Sequence, residues 1–100
     1  MIDLVRIEGF DWDVGNRRKS ADKHGVTQAE AEQAFFDPRL LMMRDSRHSS
    51  DEPGYHALGR TDDGRTLHIT FTLRGDGRLI RVISARDMHR KERSTYEHDT

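Results

Sequence analysis

The sequence predicts an α+β domain: a mainly antiparallel sheet of four to five strands with two N-terminal helices and a C-terminal helix. Three observations carry that expectation. Leu67, Ile69, Phe71 and Leu73 alternate with His68, Thr70, Thr72 and Arg74, the period of a half-buried strand. A second apolar run, Leu79, Ile80, Val82 and Ile83, follows the turn Gly75-Asp76-Gly77, whose glycines suit the positive φ of a short hairpin. Helix start and stop signals bracket these strands on both sides.

Taken in order, Gly9 to Asp13 reads as a short first strand, with Phe10 and Trp12 on one face and Asp11 and Asp13 on the other. Asp13 is placed to cap a helix over residues 14–24, which Gly25 stops. That helix has almost no apolar stripe, Val14 and Ala21 being its best candidates, and carries Arg17, Arg18, Lys19, Lys23 and His24. A helix so polar lies over a sheet edge or faces a ligand or partner. Thr27 and Glu30 then spell a capping box, with Val26 and Ala31 as its hydrophobic staple, and Asp37-Pro38 ends the second helix. Leu40 to Met43 reads as a short strand, Arg44 to Gly54 as a polar loop, and Tyr55 to Gly59 as the next strand. Asp62-Asp63-Gly64 turns the chain into the long hairpin. The run 78–86 reads as buried on both faces, hence central. Asp87 is positioned to cap a last helix over 88–98, whose apolar content is Met88 and Tyr96; such a helix docks weakly or is completed by a partner. The helices are expected on one side of the sheet.

One hundred residues make one domain. No apolar run is long enough to span a membrane, and the N-terminus lacks the apolar core of a signal peptide. With no cysteine, disulfide and thiolate chemistry are excluded, and a cytoplasmic location is the natural expectation. The net charge of −1 gives no generic affinity for nucleic acid. The distribution is uneven, however. Residues 60–93 hold nine Lys/Arg against five Asp/Glu, and the remainder eight against thirteen. The positive charge gathers on the hairpin, where Arg65, Arg74, Arg78, Arg81 and Arg86 start, end or interrupt the strands. Guanidinium groups at that density point to phosphate.

The histidines at 24, 48, 56, 68, 89 and 98 form no HxH or HxxxH pair, so no metal or other cofactor is expected. Asp11 and Asp13 have the spacing of two metal ligands but no third ligand nearby in sequence. His48-Ser49 lacks the glycine-rich setting of a nucleophile elbow. Cleavage of RNA by its own 2′-hydroxyl fits better. It needs a base, cations to stabilise the phosphorane and an acid for the leaving oxygen, but no metal. Arg74 and Arg86 are the candidate clamp, with Lys23, His24 and Tyr96 as proton-transfer or phosphate groups. In an antiparallel pair the two C-terminal strand ends point in opposite directions. Both arginines therefore reach one phosphate only if the strands are offset or bent.

Several stretches together resemble the BrnT family of bacterial type II toxins: Phe10-x-Trp12-Asp13, Lys23-His24-Gly25-Val26, Glu30-x-Glu32-x-x-Phe35, Asp37-Pro38, Arg47-His48-Ser49 with Glu52, Ala57-Leu58-Gly59-Arg60, Phe71-Thr72-x-Arg74, Ile83-Ser84-Ala85-Arg86 and Glu92-Arg93-x-x-Tyr96. The match runs in order over about residues 10–97. The resemblance implies a RelE-like fold in a single toxin domain, 1–100, and a metal-independent, ribosome-independent endoribonuclease that arrests growth. It also implies neutralisation by a BrnA-like antitoxin, through which alone the pair contacts operator DNA. Carried onto this chain, the site comprises Arg74 and Arg86, then Lys23, His24 and Tyr96, with Arg65 and Arg60 binding RNA, and Arg78 and Arg81 left as solvent-facing charges. The chain departs from many relatives where Glu52 is followed by Pro53 and Gly54 rather than an arginine, and where Asn16 and Ser20 stand in the first helix. Two other readings compete: a non-catalytic antitoxin-binding module and co-repressor, and a stand-alone nucleic-acid-binding domain.

Overall fold

The computed structural model describes residues 4–45 and 54–98. After a short 3-10 turn at Leu4–Arg6 the elements are β1 (Gly9–Phe10), α1 (Val14–His24), α2 (Gln28–Ala34), β2 (Leu41–Asp45), β3 (Gly54–Arg60), β4 (Thr66–Arg74), β5 (Leu79–Asp87) and α3 (Arg90–His98). The strands form one sheet in the order β1-β5-β4-β3-β2. Neighbours from β2 to β5 are antiparallel, and β1 runs parallel to β5 through Gly9↔Leu79 and Phe10↔Ile80. The α+β expectation and its helix and strand order hold. Three details differ.

The first strand is two residues long, not five. Asp11 donates its amide to the Ile80 carbonyl, and the chain then leaves the ladder for α1. Next, β4 rather than β5 is the sheet's most buried strand. Leu67, Ile69 and Phe71 lie in the core on one face, and His68 and Thr72 are also buried on the other. β5 instead alternates, and its apolar Ile83 is 40% exposed. Finally, the helices do not share a side. Ala57 packs with Ala31 and Ala34 of α2, whereas its strand neighbour Leu58 packs with Met88 and Tyr96 around α3. Consecutive strand residues point to opposite faces, so α2 and α3 sandwich β3.

A register shift between Thr70 and Phe71 explains the behaviour of Ile83. Phe71 pairs with Val82 and Thr70 with Ser84, which leaves Ile83 as an extra residue in β5. Beyond this bulge the alternation inverts. Val82 and Ala85 both face the core, and Arg81, Ser84 and Arg86 all face the α3 side.

The core face is built around Phe71, which meets Phe35 edge-on at 5.1 Å and stacks on Tyr55 at 5.4 Å; Phe10 packs edge-on against Phe35. Such ring pairs contribute about 0.5–1.5 kcal/mol each beyond their buried area. α2 starts on the expected capping box: the Glu30 amide donates to Thr27 Oγ1 and the Thr27 amide to Glu30 Oε1. Val26 and Ala31 are both in the core. α2 comes so close to β3 that a Cβ at Gly59 would sit 2.4 Å from the Ala34 carbonyl oxygen, so only glycine fits there. The 75–77 turn uses positive φ at Gly75, Asp76 and Gly77.

α1 runs along the β5 edge beyond the reach of the short β1. Among its described side chains Ser20 is the buried one, and its Oγ accepts the Ala85 amide at 2.9 Å at the open edge of β5. This is the polar helix over a sheet edge that composition predicted, and it gives Ser20 a structural task.

Candidate active site

On the α3 side of the sheet, side chains from five elements line a pocket of about 360 Å³: Met43 of β2, His56 and Leu58 of β3, His68 of β4, Arg86 of β5, and Lys91, Glu92 and Thr95 of α3. The ladder builds it. Met43 pairs with His56, Leu58 with His68, and His68 with Arg86. Arg86 points into this face because of the Ile83 bulge.

The charges inside are tightly arranged. Arg86 makes a two-pronged contact with Glu92, Nη1 to Oε1 at 2.8 Å and Nη2 to Oε2 at 3.0 Å. Glu92 Oε1 also accepts the His89 amide at 2.9 Å, and so caps the start of α3 from its first turn. Burial raises the Glu92 pKa, but Arg86, the His89 amide and His68 outweigh it and hold it at about 2. His68 Nε2 lies 3.8 Å from Glu92 Oε2. Burial pulls the His68 pKa down to about 4; Glu92 resists, while Arg86 and His56 add to the fall. At neutral pH His68 is therefore a neutral imidazole beside a cationic fork. The His56 ring lies 4.9 Å from it, tilted by 39°. His56 in turn bonds Asp45 Oδ2 through Nε2 at 2.9 Å and Thr70 Oγ1 through Nδ1 at 3.3 Å.

Of the residues expected from sequence, only Arg86 lines this pocket. Arg74 is on the same face of β4 as His68 but six residues along, about 20 Å at the strand rise. The two arginines do not clamp one phosphate, because the hairpin carries its two C-terminal strand ends apart. Lys23 and His24 are exposed on the last turn of α1. His24 lies near enough to Asp87 to help lower that carboxylate's pKa, after the larger effect of Arg65. These two therefore stand at the Arg86 end of β5 without lining the pocket.

Three expectations need correction. Tyr96 is 1% exposed, and its hydroxyl donates to Asp37 Oδ2, with Arg39 stacked over its ring. Burial and then Asp37 raise its pKa, so it is a packed anchor for α3 and holds no proton at the pocket. Arg65 spends every donor inside the fold: Nε and Nη2 on Asp87, Nη1 on the Gly25 carbonyl and Glu30, and Nη2 again on the His24 carbonyl. It ties the α1–α2 turn to the end of β5 and has no N–H left for RNA. Arg81 is not a solvent-facing charge either. It is held by Asp11 and Asp13, which gives both carboxylates a partner without a metal. Arg78, paired loosely with Glu8 at 3.5 Å, is largely solvated as expected. Arg60 is exposed at the end of β3, where its amide donates to Asp37 Oδ2. Asp87, expected as a helix cap, ends β5 on Arg65, and α3 begins three residues later.

Sequence reasoning missed His56, His68, Lys91 and Glu92 as a group. The signal was available. About a turn centred on Asp63, equal offsets pair Leu58 with His68 and His56 with Thr70, which puts both rings on one face. Arg47, His48, Ser49 and Glu52 lie outside the described residues. Among the described residues, no group of three or more His, Asp or Glu is placed to hold a metal ion, and no helix is long and apolar enough to cross a membrane.

No curated protein sequence matches this chain. A solved structure, the Brucella abortus ribonuclease toxin BrnT, superimposes with a TM-score of 0.61 at 20% identity, over 82% of this chain and 97% of that one. At that identity the likeness concerns the fold. The sequence model described as "Ribonuclease toxin, BrnT, of type II toxin-antitoxin system" matches residues 12–92, which span every element from α1 to the Glu92 that grips Arg86. The chain belongs to the BrnT family of ribonuclease toxins of type II toxin-antitoxin systems.

Proposed function

We propose that this toxin is a metal-independent endoribonuclease whose active site is the Arg86 pocket, and that it arrests growth by cutting RNA needed for translation. The observation that carries this is the placement of Arg86, Lys91 and His68 around one cavity of about 360 Å³. Two cations supply the charge stabilisation that a phosphorane needs, and the planar fork of Arg86 matches two phosphate oxygens. The pocket is small, so it takes one nucleotide and its phosphate, while Arg74, Lys23 and His24 contact phosphates further along a single strand. Arg60 stands at the same end of the sheet as α3 and extends that track.

The partner is a BrnA-like antitoxin, and operator DNA is contacted only through it. In support, the family is defined by type II pairs, and the chain's net charge of −1 gives no general pull toward duplex DNA. Its place of action is the cytoplasm, where its RNA substrate lies. The alternative, a silent co-repressor, has one observation in its favour: in the free chain Glu92 fills the Arg86 fork.

Induction from a tightly controlled promoter tests the proposal. Growth should stop, and purified protein should cut RNA in the presence of EDTA, with Arg86→Ala harmless in both assays. Intact RNA and normal growth with the wild type would leave only the co-repressor reading, and activity lost to EDTA would remove metal independence.

A further inference from the structure

An RNA-cutting site that works through the 2′-hydroxyl needs a proton acceptor, and none of the cations can be one. Arg86 is permanently charged, and the Lys91 ammonium is a donor with no acceptor. Three possible acceptors line the pocket, Glu92, His56 and His68; both oxygens of Glu92 are engaged, by the Arg86 fork and the His89 amide. His56 has both ring nitrogens engaged, Nε2 with Asp45 and Nδ1 with Thr70. The carboxylate that holds it has a side chain only 3% exposed. His68 differs. Its Nε2 is 3.8 Å from the nearest Glu92 oxygen, beyond hydrogen-bond length, and lies among the pocket's charged groups.

Resting on the ribonuclease reading above, we infer that His68 is the catalytic base, accepting the 2′-hydroxyl proton, and that His56, braced by Asp45 and Thr70, is the positioning residue that holds the His68 ring at this angle. The 2′-oxygen attacks the adjacent phosphorus as its proton passes to His68 Nε2. The P–O2′ bond forms and the P–O5′ bond breaks. The departing O5′ takes a proton from the Lys91 ammonium, while Arg86 holds the non-bridging oxygens. The products are a 2′,3′-cyclic phosphate and a 5′-hydroxyl. His68 then returns its proton to water and Lys91 regains one.

A histidine that merely fills the space between strands explains the burial but not the setting. His68 stands directly opposite Arg86, within the same cavity as Lys91. The charged and titratable groups around it are His56 from β3 with Asp45 of β2 behind it, Arg86 from β5, and Lys91 and Glu92 from α3. Burial first, then Arg86 and His56, keep the ring neutral against the pull of Glu92, and neutral is the form an acceptor needs. Its folded pKa of about 4 is low for a base acting at pH 7. A bound phosphodiester adds a negative charge beside the ring and so raises its basicity when the reaction needs it.

The test uses an RNA oligonucleotide carrying a site first mapped with wild-type protein on total RNA, and the same oligonucleotide with a 2′-O-methyl group at that site. In EDTA, His68→Gln and His68→Asn should each lose about 100-fold or more in kcat. Both should bind the methylated oligonucleotide as the wild type does. Wild-type products should end in a cyclic phosphate. His56→Gln should lose less kcat than the His68 variants and move the acid limb of the pH profile. If the His68 variants fail to fold, the wild type still answers: on saturation with the methylated oligonucleotide, the His68 ring resonances should shift and their apparent pKa should rise. The assignment of His68 is overturned by kcat within threefold of wild type in both variants, by products ending in a 3′-hydroxyl, or by unmoved His68 resonances. An unmoved acid limb in His56→Gln overturns the positioning role. Wild-type protein that leaves RNA intact defeats the ribonuclease reading itself, a result separate from any of these.

Discussion

Arg86 faces His68 across the β4–β5 ladder because Ile83 is one residue too many for its strand. Without the bulge, the register set by the Gly75–Gly77 turn would bring Arg86 opposite Leu67, on the face that packs against α2. A guanidinium there would be buried without a partner, at a cost of several kcal/mol. The bulge puts Ala85 in the core and turns Arg86 to the opposite side. The exposure of Ile83 is the visible consequence. Local irregularity in β5 therefore decides which face of the sheet carries the cation.

The two strand-end arginines should separate kinetically. Arg86→Ala removes the fork at the pocket and should lower kcat by about 100- to 1,000-fold. Arg74→Ala acts about 20 Å away, on another phosphate of the same strand, and should leave kcat within about threefold. Its signature is a higher KM and a shallower dependence of binding on salt. Cleavage rates at several ionic strengths measure both. Equal kcat losses in the two variants would contradict this separation.

Arg65 should behave as a structural residue. Arg65→Ala strips the partners from Asp87, Glu30 and the Gly25 and His24 carbonyls, all at one corner. Urea unfolding should show a loss of about 1–3 kcal/mol, the range for charged hydrogen bonds in a partly exposed setting. The protein that remains folded should cut RNA at close to the wild-type rate. A kcat collapse with unchanged stability would return Arg65 to the RNA-binding surface.

The parts of the fold that were legible in the sequence are those specified by neighbours along the chain. The Thr27–Glu30 capping box, the Gly75–Gly77 turn and the alternation of β4 each need only a few adjacent residues. The parts that were not legible depend on how distant segments register. Nothing local announces that β1 will lie parallel to β5 and bring Asp11 and Asp13 to Arg81. Nor does the run 78–86 reveal its own bulge; its apolar density reads instead as two buried faces. The site follows the same rule. Arg86 stood out by composition. His56 and His68 lie twelve residues apart and form no spacing pattern, so they are joined only when β3 and β4 are folded together about Asp63.

Tyr96→Phe is the sharpest check on the anchor role of Tyr96. The ring stays with Leu58 and Met88, and only the hydroxyl bond to Asp37 is lost. Asp37 keeps the amides of Arg39 and Arg60. Stability should fall by about 1.5–3 kcal/mol, the worth of a hydrogen bond to a charged group. Catalysis should be unaffected. A hundredfold fall in kcat without unfolding would instead show that the phenol takes part in proton transfer.

Stability should decline in two steps as the solution is acidified. His68 titrates at about 4 in the folded chain, against 6.5 in its ordinary state. Between those values the unfolded chain binds more protons, so the stabilisation is complete above pH 6.5 and is lost as pH falls to about 4. A shift of this size corresponds to roughly 3 kcal/mol as an upper bound. Glu92 is also depressed, from 4.5 to about 2, so its contribution disappears over that lower window. Thermal melts from pH 7.5 downward should show both steps, and His68→Gln should abolish the upper one and reduce the lower one, which His68 helps to set.

Glu92→Gln should move two properties in opposite directions. Glu92 starts α3 through the His89 amide and fills the fork of Arg86 that a phosphate would occupy. The amide keeps the shape but not the charge. The start of α3 should weaken by about 1 kcal/mol, as for loss of a helix cap. Meanwhile the incoming phosphate no longer displaces a carboxylate. An exposed or half-exposed ion pair contributes up to about 1 kcal/mol, so binding of an uncleavable oligonucleotide should tighten by roughly fivefold. A melting temperature that falls while affinity rises would show that Glu92 both braces the site and competes for it. Weaker binding together with lower stability would mean that the carboxylate is only a brace.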